Sequence, residues 1–150
     1  MKDSVKVVGE RAFSGCLALN FITWSNKLHE IKSYAFSNCT KLNSITIESC
    51  DDLVIGNGAF SGCSKVKTIS LPEGLTKIGE KAFEDCKELE TIVLPVSLKE
   101  INYGMLQNTP KLRVLGYRGT QVQWYSSDFK KNAEWFLGAG KSSPKCEYKG

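Results

Sequence analysis

The sequence predicts an α/β solenoid, a coil whose turns each add one strand to a parallel sheet on one face and a short helical or 3₁₀ turn to the other. Three observations predict it. One phrase returns at a fixed interval, its cysteines Cys16, Cys39, Cys63 and Cys86 separated by 23, 24 and 23 residues. Aliphatic residues keep phase with that phrase along most of the chain. Within each copy apolar residues fall two apart, the period of a strand with one buried face. Self-similarity at a period of roughly 20–50 residues is the mark of a repeat architecture.

The phrase reads Ala12-Phe13-Ser14-Gly15-Cys16, Ala35-Phe36-Ser37-Asn38-Cys39, Ala59-Phe60-Ser61-Gly62-Cys63 and Ala82-Phe83-Glu84-Asp85-Cys86, with a degenerate copy at Met105-Leu106-Gln107-Asn108-Thr109. Ahead of it stand Val8, Ile31, Ile55, Ile78 and Ile101; behind it come Leu19, Leu42, Val66, Leu89 and Leu112. Next in phase are Ile22, Ile45, Ile69, Ile92 and Leu115, then Trp24, Ile47, Leu71, Leu94 and Tyr117. Five coils of about 23 residues therefore occupy 1–118.

Each element follows from this frame. Leu89 to Leu94 alternates as a strand, closed by Pro95 as Pro72 closes the one before, since proline cannot donate to a ladder. Ile78 to Cys86 reads as the short helical piece, with Ala82 and Phe83 inward. Gly15, Asn38, Gly62, Asp85 and Asn108 are residue types that tolerate positive φ, as the end of such a piece requires. No coil buries its apolar face alone, so stacking makes the core continuous. The third coil slips by one residue around Glu48–Leu53, which predicts a bulge or loop.

The pattern Leu-x-x-Ile-x-Leu-Pro with Ile-Gly-x-x-Ala-Phe-x-x-Cys, as in Leu89 to Pro95 and Ile78 to Cys86, resembles the BspA-like (Treponema-type) leucine-rich repeats. The resemblance covers about residues 5–118 and implies a right-handed coil. It departs from the common leucine-rich consensus in placing Ala-Phe and Cys where an Asn ladder usually stands. Tyr117 to Trp124 is similar to the segment that follows the last repeat in this family. Residues 119–150 are then a C-terminal capping segment, with Cys146 to Gly150 leading into a further strand. Ser4-Val5-Lys6 matches Ser97-Leu98-Lys99, so the chain is expected to be a piece of a longer protein. The resemblance further implies a cell-surface or secreted adhesion protein whose partner is a host extracellular-matrix or cell-surface protein. It brings no catalytic residues.

Composition narrows the function. Twenty Lys and Arg against 16 Asp and Glu leave a net charge of only +4, with no basic block or basic-aromatic stripe, so nucleic acid is not an expected partner. No apolar run reaches the ~18 residues of a membrane span. The motifs of phosphate, metal and cofactor sites are missing, so no cofactor is expected. Equivalent side chains of stacked coils point in parallel, and four sulfurs in a row do not form a zinc cage. The ladder cysteines are thus expected as reduced core thiols, the rivals being disulfides between coils and a reactive nucleophile. His29 follows the core residue Leu28 and is expected at the surface. Glu48, Asp51 and Asp52 lack the six or more ordered donors of an oxygen-ligand cation site.

Two surfaces remain. The C-terminal aromatics Trp124, Tyr125, Phe129, Trp135 and Phe136 read as a cap over the last coil, the alternative being a glycan or peptide platform. The outward positions of the strands are Phe21, Thr23, Ser44, Thr46, Thr68, Ser70, Thr91, Val93 and Val114. Asn20, Asn43, Lys67, Glu90 and Arg113 flank them. This face is the expected protein-binding site, with Phe21 and Val114 as apolar anchors. Small Ser/Thr positions are also what strand propensity alone would select, and a spacer without its own ligand is the competing reading.

Overall fold

The structure, a computed structural model, describes residues 1, 4–126 and 145–148. In chain order the strands are β1 (Val7–Val8), β2 (Glu30–Ile31), β3 (Ser44–Thr46), β4 (Leu53–Ile55), β5 (Thr68–Ser70), β6 (Leu75–Ile78), β7 (Thr91–Leu94), β8 (Glu100–Ile101), β9 (Val114–Tyr117) and β10 (Lys145–Tyr148). One helix, α1 (Gln121–Ser126), lies between the last two. The two strands of a coil do not share one sheet. Strands β1-β2-β4-β6-β8 form a first parallel sheet, and β10-β9-β7-β5-β3 form a second. The chain is a parallel-strand β-solenoid of about five turns; the second to fifth turns give a strand to both sheets, the first turn gives one to the first sheet only, and β10 completes the second.

Two expectations are corrected here. The aliphatics Val8, Ile31, Ile55, Ile78 and Ile101 lie in strands of the first sheet, not in a helical piece. Leu75 and Ile78, three apart and both buried, imitate helical spacing because a strand this short shows no full alternation. The Ala-Phe phrase that follows forms tandem turns in place of a helix. Its amides alternate between two kinds of acceptor. Ala35, Ser37 and Cys39 donate within the coil to Lys32, Tyr34 and Phe36, while Tyr34, Phe36 and Asn38 donate to Asn57, Ala59 and Ser61 of the next coil at 2.7–2.9 Å. An α-helix would keep all its interior amides to itself. Here half of them staple coil to coil.

The backbone geometry that allows this is left-handed at two points per turn. The expected ladder Gly15, Asn38, Gly62, Asp85 and Asn108 has φ of 55–75°. A second ladder, Arg11, Tyr34, Gly58, Lys81 and Gly104, has φ of 53–62° and shows no glycine signature in three of its five coils. Its long side chains lie flat along the coil stack: the Arg11 guanidinium sits 5.3 Å from the Tyr34 ring centre, and that ring occupies the space a side chain on Gly58 would need.

Packing follows the register. Ala35, Ala59, Ala82, Phe60, Phe83 and the in-phase aliphatics of the middle coils are fully buried, while Leu19, Ile22 and Leu112 in the end coils are half-buried. Phe13, Phe36, Phe60 and Phe83 stack at centroid separations of 5.1, 5.3 and 5.6 Å with planes within 11°. The slip in the third coil is a register shift between Leu53 and Val54. It works because Gly74, at φ +95°, lets the Cys50 carbonyl come within 1.9 Å of where a Cβ would stand.

Candidate functional site

The outward face of the second sheet is built by strict register. Ser44 pairs with Thr68, Thr68 with Thr91 and Thr91 with Val114; Thr46 pairs with Ser70, Ser70 with Val93 and Val93 with Gly116. Lys145 and Glu147 of β10 extend both rows. Between the rows Ile45, Ile69, Ile92 and Leu115 point inward and are buried. Phe21 and Thr23 stand next to the rows on the first coil, which forms no strand of this sheet, so the structure leaves these two expected positions outside its register; Phe21 is 69% exposed. Thr23, Thr46 and Thr68 are exposed; Ser44, Ser70, Thr91, Val93 and Val114 are half-buried. The face is therefore most open over the first three coils.

Charge lies along one border. Lys67, Glu90 and Arg113 alternate from coil to coil beside the rows, and Lys111 Nζ stands 2.7 Å from Glu88 Oε2. The hydrogen bond from Lys111 holds the Glu88 carboxyl below its usual range, with Lys65 and Lys67 adding attraction. Acidic coil four is thus sandwiched between basic neighbours, so the border holds the coils together as well as facing solvent. Asn20 and Asn43 close the border at the other end, Asn43 N–H donating to the Asn20 carbonyl at 3.4 Å.

One residue of this face is invisible to sequence reasoning. Arg118 crosses the sheet, its Nη2 donating to Ser70 Oγ at 3.0 Å, although the two are 48 positions apart. The reach follows from the stacking of coils, and no local pattern announces it.

The remaining candidates have structural roles. Cys39, Cys63 and Cys86 donate Sγ–H to the carbonyls of Phe13, Phe36 and Phe60 at 3.1, 3.2 and 3.6 Å, each across one coil. All six cysteines are free thiols. Burial pushes the Cys63 thiol up to about 12, and raises Cys39 and Cys86 as well, the reverse of what activates a nucleophile. Cys50 is buried too, its thiol 3.8 Å from the Ser25 carbonyl. His29 is exposed. Trp124 is buried against Tyr117 at a centroid distance of 5.3 Å, so its ring serves packing. The side chain of Tyr125 and residues Phe129, Trp135 and Phe136 lie outside the described residues. No group of His, Cys, Asp or Glu among the described residues could hold a metal ion. No helix among them is long and apolar enough to cross a membrane.

Two parallel sheets wound as one repeat, with a broad sheet face and buried thiols, define a repeat scaffold. Residues 1–113 match six copies of the BspA type leucine-rich repeat region, and the chain belongs to that family. Proteins of this repeat type commonly mediate protein–protein interaction and are generally non-enzymatic. Among solved structures, a leucine-rich repeat protein of T. pallidum is 32% identical with a TM-score of 0.72, covering 95% of this chain and 70% of its own. One from Bacteroides ovatus is 33% identical with a TM-score of 0.51, covering 75% of this chain. A leucine-rich cell surface protein of Faecalibacterium prausnitzii is 25% identical with a TM-score of 0.51, covering 79% of this chain. This chain spans 35% of the length of each of the last two. No curated protein was matched.

Proposed function

We propose that the chain is a protein-recognition module of a cell-surface or secreted adhesion protein, binding through the outward face of the second sheet. The observation that supports this most is the in-register double row from Ser44 and Thr46 to Val114, side chains fixed at strand spacing on a stacked scaffold, with the exposed Phe21 beside it on the first coil. Phe21 is the apolar anchor; Lys67, Glu90, Arg113 and Arg118 set polarity around the rows. The coil is right-handed in this reading, because parallel strands joined by crossovers within one sheet wind that way almost without exception. Residues 1–118 carry recognition, and 119–150 cap the last coil.

Area limits what one copy achieves. Five strands of three or four residues, about 4.8 Å apart and roughly 10–13 Å long, present on the order of 300 Å², against about 800 Å² per partner in a standard interface. Weak binding strengthened by neighbouring repeats is the expected mode. The test is titration of immobilised extracellular-matrix and host cell-surface proteins with the chain. Saturable binding that disappears in a folded Phe21→Asp/Thr68→Lys variant is expected. Undiminished binding by that variant would remove the face, and silence across all partners would favour a spacer.

A further inference from the structure

The second sheet is not paired along its whole border. In the inner coils the ladder runs on past the strands: Ile47 N–H donates to the Ser70 carbonyl at 3.1 Å, and Leu71 N–H to the Val93 carbonyl at 3.2 Å. One coil earlier the same bond would join Trp24 N–H to the Thr46 carbonyl, and it is not formed. The first coil is held at Asn20–Asn43 and splays open beyond it. The cause lies in the core. Trp24 takes the place filled by Ile47, Leu71 and Leu94 in later coils, and its larger ring is lodged edge-on against Phe36 and Phe60 at 5.5 and 6.1 Å. The opening is a cleft of about 310 Å³ lined by Ile22, Thr23, Trp24, Thr46, Glu48 and Ser49, among others.

We propose that this opening is a slot for a short extended peptide of the partner, carrying a basic side chain. Three features fit that ligand. The edge offers strand-type backbone groups at Thr46 and Trp24, which bind by adding main chain to a sheet edge. Glu48, an exposed carboxylate in the lining, is complementary to Lys or Arg and has no ion-pair partner among the described residues. The volume is at the low end of the roughly 300–1,000 Å³ typical of ligand pockets, so it admits a short stretch of chain and not a folded surface. The inference rests on the second sheet being the recognition face, and it names what that face grips at its open end.

The probe is an N-acetylated, C-amidated Thr-Val-Lys-Val-Thr peptide, followed through the Trp24 indole and Thr46 amide resonances. Saturable shifts of both are expected. Affinity should fall about tenfold with Glu48→Gln, an exposed position whose change leaves the core intact, and about tenfold when the peptide backbone is N-methylated. Equal binding of the N-methylated peptide, or no saturable shift at millimolar peptide, overturns the slot. A Trp24 shift produced by cellotriose and not by the peptide also overturns it, in favour of a sugar. Loss of the slot alongside a protein partner still blocked by Thr68→Lys would leave the sheet-face reading standing.

Discussion

At the scale of single residues, the account rests on side chains that repeat in the same place. Phe60 is stacked between Phe36 and Phe83 at 5.3 and 5.6 Å and meets the Trp24 edge. Phe60→Ala should lower stability by about 3–5 kcal/mol in urea denaturation, the cost of a large core cavity. Phe13, 39% exposed at the end of the same stack, should cost clearly less when truncated. The thiols give a pH signature. Cys63 is neutral when folded and has its pKa raised from 9.0 to about 12, so the folded state binds the proton more tightly. Its contribution is complete below pH 9 and is lost as pH climbs toward 12, on the order of 4 kcal/mol in all. Comparing wild type with Cys63→Ala by denaturant midpoint across that window checks the sign: the two curves should converge as pH rises. Reduced, buried thiols were legible from spacing alone, because parallel side chains on stacked coils offer neither disulfide nor zinc geometry. The Arg118–Ser70 contact was not, since it depends on a reach across coils.

At the scale of elements, sequence periodicity located the second sheet and its inward and outward positions from Ser44 to Val114, since Leu89–Leu94 alternates over enough residues to show a strand, but it also expected a strand around Phe21 and Thr23, where the first coil forms none. It mistook the first sheet for helix. Strands of two to four residues, such as Glu30–Ile31 and Leu75–Ile78, are too short for a period of two to separate from one near 3.6. The turns after them were half legible. Gly15, Gly62 and Asn38 advertise positive φ; Arg11, Tyr34 and Lys81 adopt it without being residue types that favour it. They are held there because alternate amides reach the next coil's carbonyls. The bulge in the third coil depends on Gly74 in the same way. Gly74→Ala places a Cβ against the Cys50 carbonyl at φ +95° and should destabilise by roughly 1–3 kcal/mol, measured by chemical denaturation. A neutral substitution would mean that the bulge is not packed as described.

At the scale of the whole molecule, a solenoid is a sum of coils and the interfaces between them. Both sheets, the phenylalanine stack and the thiol-to-carbonyl bonds run along the same axis, so the second, third and fourth coils are tied to one another at four places on their circumference. Such a body presents rigid faces, which suits recognition. The two sheet faces differ in a way that recognition can exploit. The second is a row of small hydroxyls and threonine methyls ending at Phe21; the first carries charged side chains such as Lys77, paired with Glu100 at 2.9 Å. The measurement that tests the central claim most directly compares these two faces against one bound protein. Wild type, Thr68→Lys on the second sheet and Lys77→Gln on the first are titrated against whichever matrix or cell-surface protein the chain binds. The account predicts that Lys77→Gln keeps wild-type affinity and Thr68→Lys loses it by tenfold or more. Loss on Lys77→Gln with full affinity in Thr68→Lys would contradict it and move the interface to the other side of the coil.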